Sequence, residues 1–197
     1  MEKAQSYHLV MDMKVKVQEG SMSMEIPVKL EGDFSQPDRM KAVISMTYLG
    51  FNIEMKMVQV GTRTWITDPS TNKWVMQEGD AEAAPADPQG IIGKDTDDLS
   101  NLTWVGIETV NGRATYRLRA DTPIDEEAPD NKFTMDFWID LETSRMVRAS
   151  GSGVLPTDEE SMFGGEGGTA TMTLDMVLSD FDKPVTVEIP VEGTVAK

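Results

Sequence analysis

Methionine is the residue type with the most chemistry on offer in this chain. Met11 and Met13, Met22 and Met24, and Met55 and Met57 stand two residues apart, and paired thioethers are soft ligands of the kind Cu(I) takes. Such a site would draw on cysteine or histidine as well, yet the chain has no cysteine and one histidine, His8. His8 has the opposite parity to Met11 and Met13 and reads as a solvent-facing strand residue. On a strand, a spacing of two arises whenever successive residues of one face are methionine. The pairs are therefore read as a lining, and no metal is assigned.

Other constellations carry less. Asp95, Asp97 and Asp98 invite a Ca²⁺ reading, but the glycine and distal glutamate of an EF-hand loop are missing. Asp125-Glu126-Glu127 and Asp158-Glu159-Glu160 read as solvated loop charge. Gly151-Ser152-Gly153 does not meet G-x-S-x-G and has no suitable base. Gly164–Gly168 follows no strand-to-helix phosphate pattern. No catalytic residue and no cofactor are nominated, so the expectation is a protein that is not an enzyme.

Composition narrows the partners. The 197 residues favour one domain, taken here as 1–197. Lys plus Arg number 18 against 34 Asp plus Glu, giving a net charge of −16. Nucleic-acid binding needs a cationic surface, and a polybasic membrane patch needs the same; both are excluded. With 39% hydrophobic residues the chain is too apolar to be disordered. No apolar run of about 18 residues is present to span a bilayer, and the start shows no signal-peptide pattern.

The elements that must position the methionines are strands. Tyr7, Leu9, Met11, Met13, Val15 and Val17 alternate with mostly polar residues, a period of two with one buried face. After a turn at Glu19-Gly20-Ser21 the parity flips to Met22, Met24, Ile26, Val28 and Leu30. Pro27 cannot donate a ladder bond, which predicts an edge strand or a bulge. Met40, Ala42, Ile44, Met46 and Tyr48 share a third face, and Leu49-Gly50 turns into Phe51, Ile53, Met55 and Met57. The rhythm then slips to Val58 and Val60, read as a bulge. Shorter strands follow around Trp65 and Trp74, divided by the turn Asp68–Asn72.

Residues 79–90 are small, acidic and proline-containing, hence an exposed connection, and 88–101 fit one short helix. Asn111-Gly112 is a strong hairpin signal. Beyond a polar loop at Thr122–Lys132, Phe133, Met135, Phe137 and Ile139 share a face. Asp140–Thr143 turns that strand into Arg145–Ser150, and Gly151–Gly168 reads as a second flexible stretch. Ala170, Met172, Leu174, Met176 and Leu178 form the last face. The fold class is mainly β (α+β), an antiparallel sheet of about ten strands with one or two short helices.

So little helix leaves much of the apolar face to be covered by something else. A ligand cavity and a closed two-sheet sandwich both remain open on pattern alone. Fifteen methionines, mostly on apolar faces, favour a lining that adapts to variable apolar partners.

The order of segments resembles the LppX/LprG-type lipoproteins of bacterial envelopes, of the LolA/LolB-like fold. The resemblance lies in Ser6-Tyr7-His8, Val60–Trp65, Asp68–Trp74, Gly106–Gly112, Phe137–Thr143 and Ser179–Pro190, in the family's order. It implies a strongly curved antiparallel half-barrel whose open apolar face is covered by the short helices. It also implies a cavity for lipid, glycolipid or lipoprotein acyl chains. The expected location is extracytoplasmic, in the cell envelope, with a membrane tether through a lipidated cysteine upstream of Met1. The lipid-binding residues expected from strand parity are Met11, Met13, Met24, Ile26, Ile44, Met46, Phe51, Ile53, Met55, Phe133, Met135, Phe137, Met172 and Leu174. Segments 79–101 and 151–168 would gate access. A sensor or regulatory module on the same fold and a structural surface lipoprotein with a closed core are the alternatives.

Overall fold

The computed structural model describes residues 4–19, 22–78, 102–123, 132–157 and 168–196. These form eleven strands: β1 (Ser6–Glu19), β2 (Met22–Ser35), β3 (Arg39–Tyr48), β4 (Phe51–Val60), β5 (Arg63–Thr67), β6 (Trp74–Glu78), β7 (Thr103–Val110), β8 (Arg113–Pro123), β9 (Lys132–Asp140), β10 (Met146–Thr157) and β11 (Gly168–Ser179). They make one sheet in the order β6-β5-β4-β3-β2-β1-β11-β10-β9-β8-β7. The molecule is thus mainly β and antiparallel, with one strand more than the expected ten. The helix expected at 88–101, the turn at Gly20-Ser21 and the run Asp95–Asp98 lie outside the described residues.

One expectation is narrowed and two need correction. Pro27 sits in an interior strand, since β2 lies between β3 and β1, which removes the edge-strand half of the expectation. A strand N–H points toward only one of its two neighbours, so proline forgoes a single ladder bond there. No bulge occurs at Val58–Val60: the β3–β4 register runs unbroken from Arg39↔Val60 to Tyr48↔Phe51. Val58 is buried because the opposite face is apolar here too, with Val58 paired to Trp65 and Trp65 to Met76. Finally, Gly151–Thr157 is strand rather than loop: the whole stretch pairs with β11, and Gly151 and Ser152 pair with β9 as well, as Thr122 and Pro123 are paired with β9.

The chain packs as two compact units. The first comprises Met1–Glu2, Met11–Val28 and Asp95–Val177, the second Lys3–Val10, Lys29–Lys94 and Leu178–Lys197.

In the first unit, Val15, Val17 and Ala170 form a buried cluster with Met13 and Met172 packed against it. The register carries this apolar face across the sheet. Leu174 pairs with Gly151 and Gly151 with Met135, while Met176 pairs with Ala149 and Ala149 with Phe137. Gly151 and Gly153 are strand residues for a steric reason. A Cβ on Gly153 would stand 2.6 Å from Phe133 Cδ2, and one on Gly151 would collide with Met135 and Phe133.

The opposite face of the first unit is a ladder of paired charge. Trp138 is buried between the guanidinium groups of Arg117, 5.1 Å from the ring centroid, and Arg148, at 4.7 Å. Its indole N–H donates to Glu108 Oε2 at 2.9 Å. Arg119 grips Asp136 with Nε and Nη2 at 2.9 and 2.8 Å, and Arg117 donates to the same carboxylate at 2.7 Å. Arg148 pairs with Asp175, and Lys132 and Thr134 with Asp121. One face is apolar and the other charged, as in an antiparallel sheet with a solvated side.

The second unit holds β3–β6, the ends of β1 and β2, and the C-terminal segment. Leu9, Leu30, Met40, Ala42 and Met57 are buried on its apolar face, and Tyr7 stacks on Phe34 with ring centroids 4.9 Å apart. Strand β6 is an edge, and the C-terminal segment caps its first residue. Trp74 N–H donates to Thr194 O at 3.0 Å, Gly193 N–H to Trp74 O at 2.8 Å, and Ala196 N–H to Asn72 O at 2.9 Å.

Candidate functional site

Each unit has an apolar face, and each face is a candidate site by itself. Of the fourteen residues expected to line these faces, nine belong to the first unit and five to the second. Met11, Ile26, Met135, Phe137 and Leu174 are buried. Met13, Met24, Ile44, Met46, Ile53, Met55, Phe133 and Met172 are half-buried, and Phe51 is exposed.

In the second unit the register brings Ile44 opposite Met55, Met46 opposite Ile53 and Tyr48 opposite Phe51. Exposure rises along this ladder. Met57 and Ala42 are buried, the next two pairs half-buried, and Tyr48 and Phe51 exposed. In the first unit Met135 and Leu174 share one cross-strand row through Gly151. Met13 and Met172 meet over Val15, Val17 and Ala170.

The apolar face of the first unit extends further than alternation revealed. The β7–β8 register shifts between Trp104 and Gly106, so Trp104 faces Leu118 and Ile107 faces Tyr116. A bulge thereby sets Trp104 and Ile107, three residues apart, on one side. All but Leu118 are exposed, Trp104 at 63%. The signal was present as two large apolar residues bracketing Val105-Gly106, a spacing that strict alternation discards.

The polar face of the second unit holds a groove of about 540 Å³, lined by His8, Lys29, Glu31, Asp33, Lys41, Lys56 and Trp74 among others. None of the fourteen expected residues lines it. His8 is not simply solvent-facing. Its Nδ1 lies 2.7 Å from Asp33 Oδ1, whose other oxygen lies 3.2 Å from Lys41 Nζ. Lys29 pairs with Glu31 at 2.9 Å. Burial pushes the Asp33 carboxyl up, but the hydrogen bonds from His8 and Lys41 outweigh it and hold the group below the usual range. Glu31 is lowered by Lys29. The carboxylates of the groove are thus neutralised within it. Among the described residues, no group of three or more His, Asp or Glu is placed to hold a metal ion.

No curated protein matches the chain. Among solved structures, the lipoprotein LppX of Mycobacterium tuberculosis matches with a TM-score of 0.54 at 16% identity, over 94% of this chain and 90% of that one. LprF from Mycobacterium bovis matches at 0.49 and 17% identity, over 95% and 90%. A LolA superfamily protein from Nitrosomonas europaea matches at 0.33 and 12%, over 89% and 87%. The likeness to LppX shows the fold. The family model for the LppX_LprAFG lipoproteins matches residues 1–187, nearly the whole chain, and with the order of segments and the eleven-stranded sheet it establishes that the chain belongs to the LppX_LprAFG lipoprotein family.

Proposed function

We propose that this protein binds lipid or acyl chains in the bacterial cell envelope, by burial on its methionine-rich face and without covalent chemistry. One observation carries the reading. Eight of the fourteen face residues are only half-buried, so folding leaves apolar side chains for something else to cover. An acyl chain suits such a surface, because each methylene withdrawn from water contributes about 0.8 kcal/mol. Ten of them would supply about 8 kcal/mol, enough to absorb the cost of ordering the chain. Methionine side chains re-pack around ligands of varying outline, which fits a binder of acyl groups more than a reader of one headgroup.

The test is native mass spectrometry of protein purified from a lipid-producing host, with organic extraction of whatever is bound, alongside titration with a fluorescent fatty acid. Added mass of acyl-bearing molecules is expected. Met55→Glu and Met172→Glu place a charge at half-buried positions and should each weaken fatty-acid uptake about tenfold or more. Wild-type uptake by the folded double variant would overturn the assignment, as would a bare polypeptide that refuses the fatty acid.

A further inference from the structure

Two hairpins of this chain use the same tight turn with different residues. At the β7–β8 turn Asn111 and Gly112 take φ of 49° and 79°. Asparagine and glycine are the residues this left-handed geometry favours. At the β3–β4 turn the angles are nearly the same, 49° and 82°, but the first residue is Leu49. A γ-branched apolar residue is disfavoured in the left-handed region, and Leu49 gains no packing in return, being 69% exposed. Its neighbours Tyr48 and Phe51 are 42% and 72% exposed. The turn therefore accepts a conformational cost in order to present three large apolar side chains at a hairpin tip.

We propose that this tip is a bilayer-contact element that seats in the interfacial layer of a phospholipid membrane. Charge supports that occupant. The twelve residues Ala42–Ile53 form the longest run without a charge in a chain that is 26% charged, so insertion would drag no ion out of water. Thr47 donates to Asn52 Oδ1 at 2.9 Å on the other face of the hairpin, and the ladder continues unbroken to Tyr48↔Phe51. Tyrosine beside leucine and phenylalanine suits the headgroup boundary, where an aromatic ring is buried and its hydroxyl stays wet. A net charge of −16 disfavours anionic lipid, so the matching surface is zwitterionic.

The chain has no cysteine, so Leu49→Cys and Asn111→Cys each give one labelling site in the same turn geometry. With an environment-sensitive fluorophore, vesicles of phosphatidylcholine should raise and blue-shift emission from position 49 and leave position 111 unchanged. Leu49→Asn, which suits the turn and should fold at least as well, is expected to lower vesicle affinity about tenfold. The proposal is overturned by a silent label at 49, whatever its response to a protein fraction or to self-association, by equal responses at both sites, or by undiminished vesicle binding of Leu49→Asn. Fatty-acid uptake from vesicle-free solution should be the same for Leu49→Asn and wild type. Failure of the tip and failure of the lipid-binding face are therefore read separately.

Discussion

At Gly151 and Gly153 single hydrogens stand where methyl groups would strike the side chains lying across β10. A Cβ on Gly151 would be 2.6 Å from Phe133 Cε1 and 2.8 Å from Thr134 O, so Phe133 or Met135 would have to leave its rotamer or β9 would have to move. Forced overpacking of this kind costs about 1–3 kcal/mol. Gly151→Ala should lower the unfolding free energy by that amount, read as a lower urea midpoint with no change in slope. In sequence these glycines look like turn chemistry, because glycine announces conformational freedom and says nothing about which side chain needs the space. The fourteen face residues were legible for the opposite reason, since strand parity is local. How far each is buried was not legible, because it depends on the strands opposite. Trp138 was hidden in the same way: its burial on the charged side depends on Arg117 and Arg148, which no spacing rule connects.

Among the elements, loops repeat a construction that pattern reading sees only in part. Asp68 Oδ1 accepts from the amides and hydroxyls of Ser70 and Thr71, and Asn72 N–H donates to Asp68 O. Asp140 holds the amides of Glu142 and Thr143 and the Thr143 hydroxyl, with Ser144 N–H donating to Asp140 O. Both loops end on a left-handed residue, Asn72 and Ser144. Alternation placed the strands on either side of these loops, but not the pairing of the first strand with the last, β1 beside β11, which no hairpin connects. The C-terminal segment was not placed, because a strand edge is capped by backbone groups, which leave no trace in residue type. Ending the chain at Pro190 removes the hydrogen bonds of Gly193, Thr194 and Ala196 with β6 and Asn72. At about 0.5–1.5 kcal/mol each the loss should be about 2–4 kcal/mol in denaturant unfolding. It should also lengthen the free edge, seen as concentration-dependent self-association in analytical ultracentrifugation.

For the molecule as a whole, the negative charge is unevenly spread along the chain. Segments 79–101, 124–131 and 158–167 carry −5, −4 and −4, thirteen of the net sixteen, which leaves the strands close to balance. Several of their acids are paired, and some of these are held below the usual carboxylate range. Asp136 is lowered by hydrogen bonds from Arg119, against the upward push of burial, with Arg117 adding to the effect. Glu108 is lowered by the Trp138 indole and then by Arg117. At Asp68 the Ser70 hydroxyl, with Thr71 behind it, brings the pKa to about 2. A carboxyl whose pKa is lower in the folded than in the unfolded chain stabilises the fold above its unfolded pKa, and that stabilisation is lost as pH falls through the folded value. The unfolding midpoint should therefore hold steady at neutral pH and fall steeply below about pH 4. Asp136→Asn should be less stable than wild type at pH 7, with the gap narrowing by pH 3; a gap independent of pH would show that the Arg117–Asp136–Arg119 group does not set the acid response.

Met13, Met24, Met46, Met55 and Met172 are all half-buried on the apolar face, in a chain with no thiol to intercept an oxidant. Thioethers oxidise to sulfoxides, which turns a flexible apolar side chain into a polar, chiral one. An empty face is consequently a face open to peroxide, and each sulfoxide would set a strong dipole where an acyl chain needs none. Any cargo that covers these sulfurs also protects them, so the occupied protein should outlast the empty one under oxidative stress.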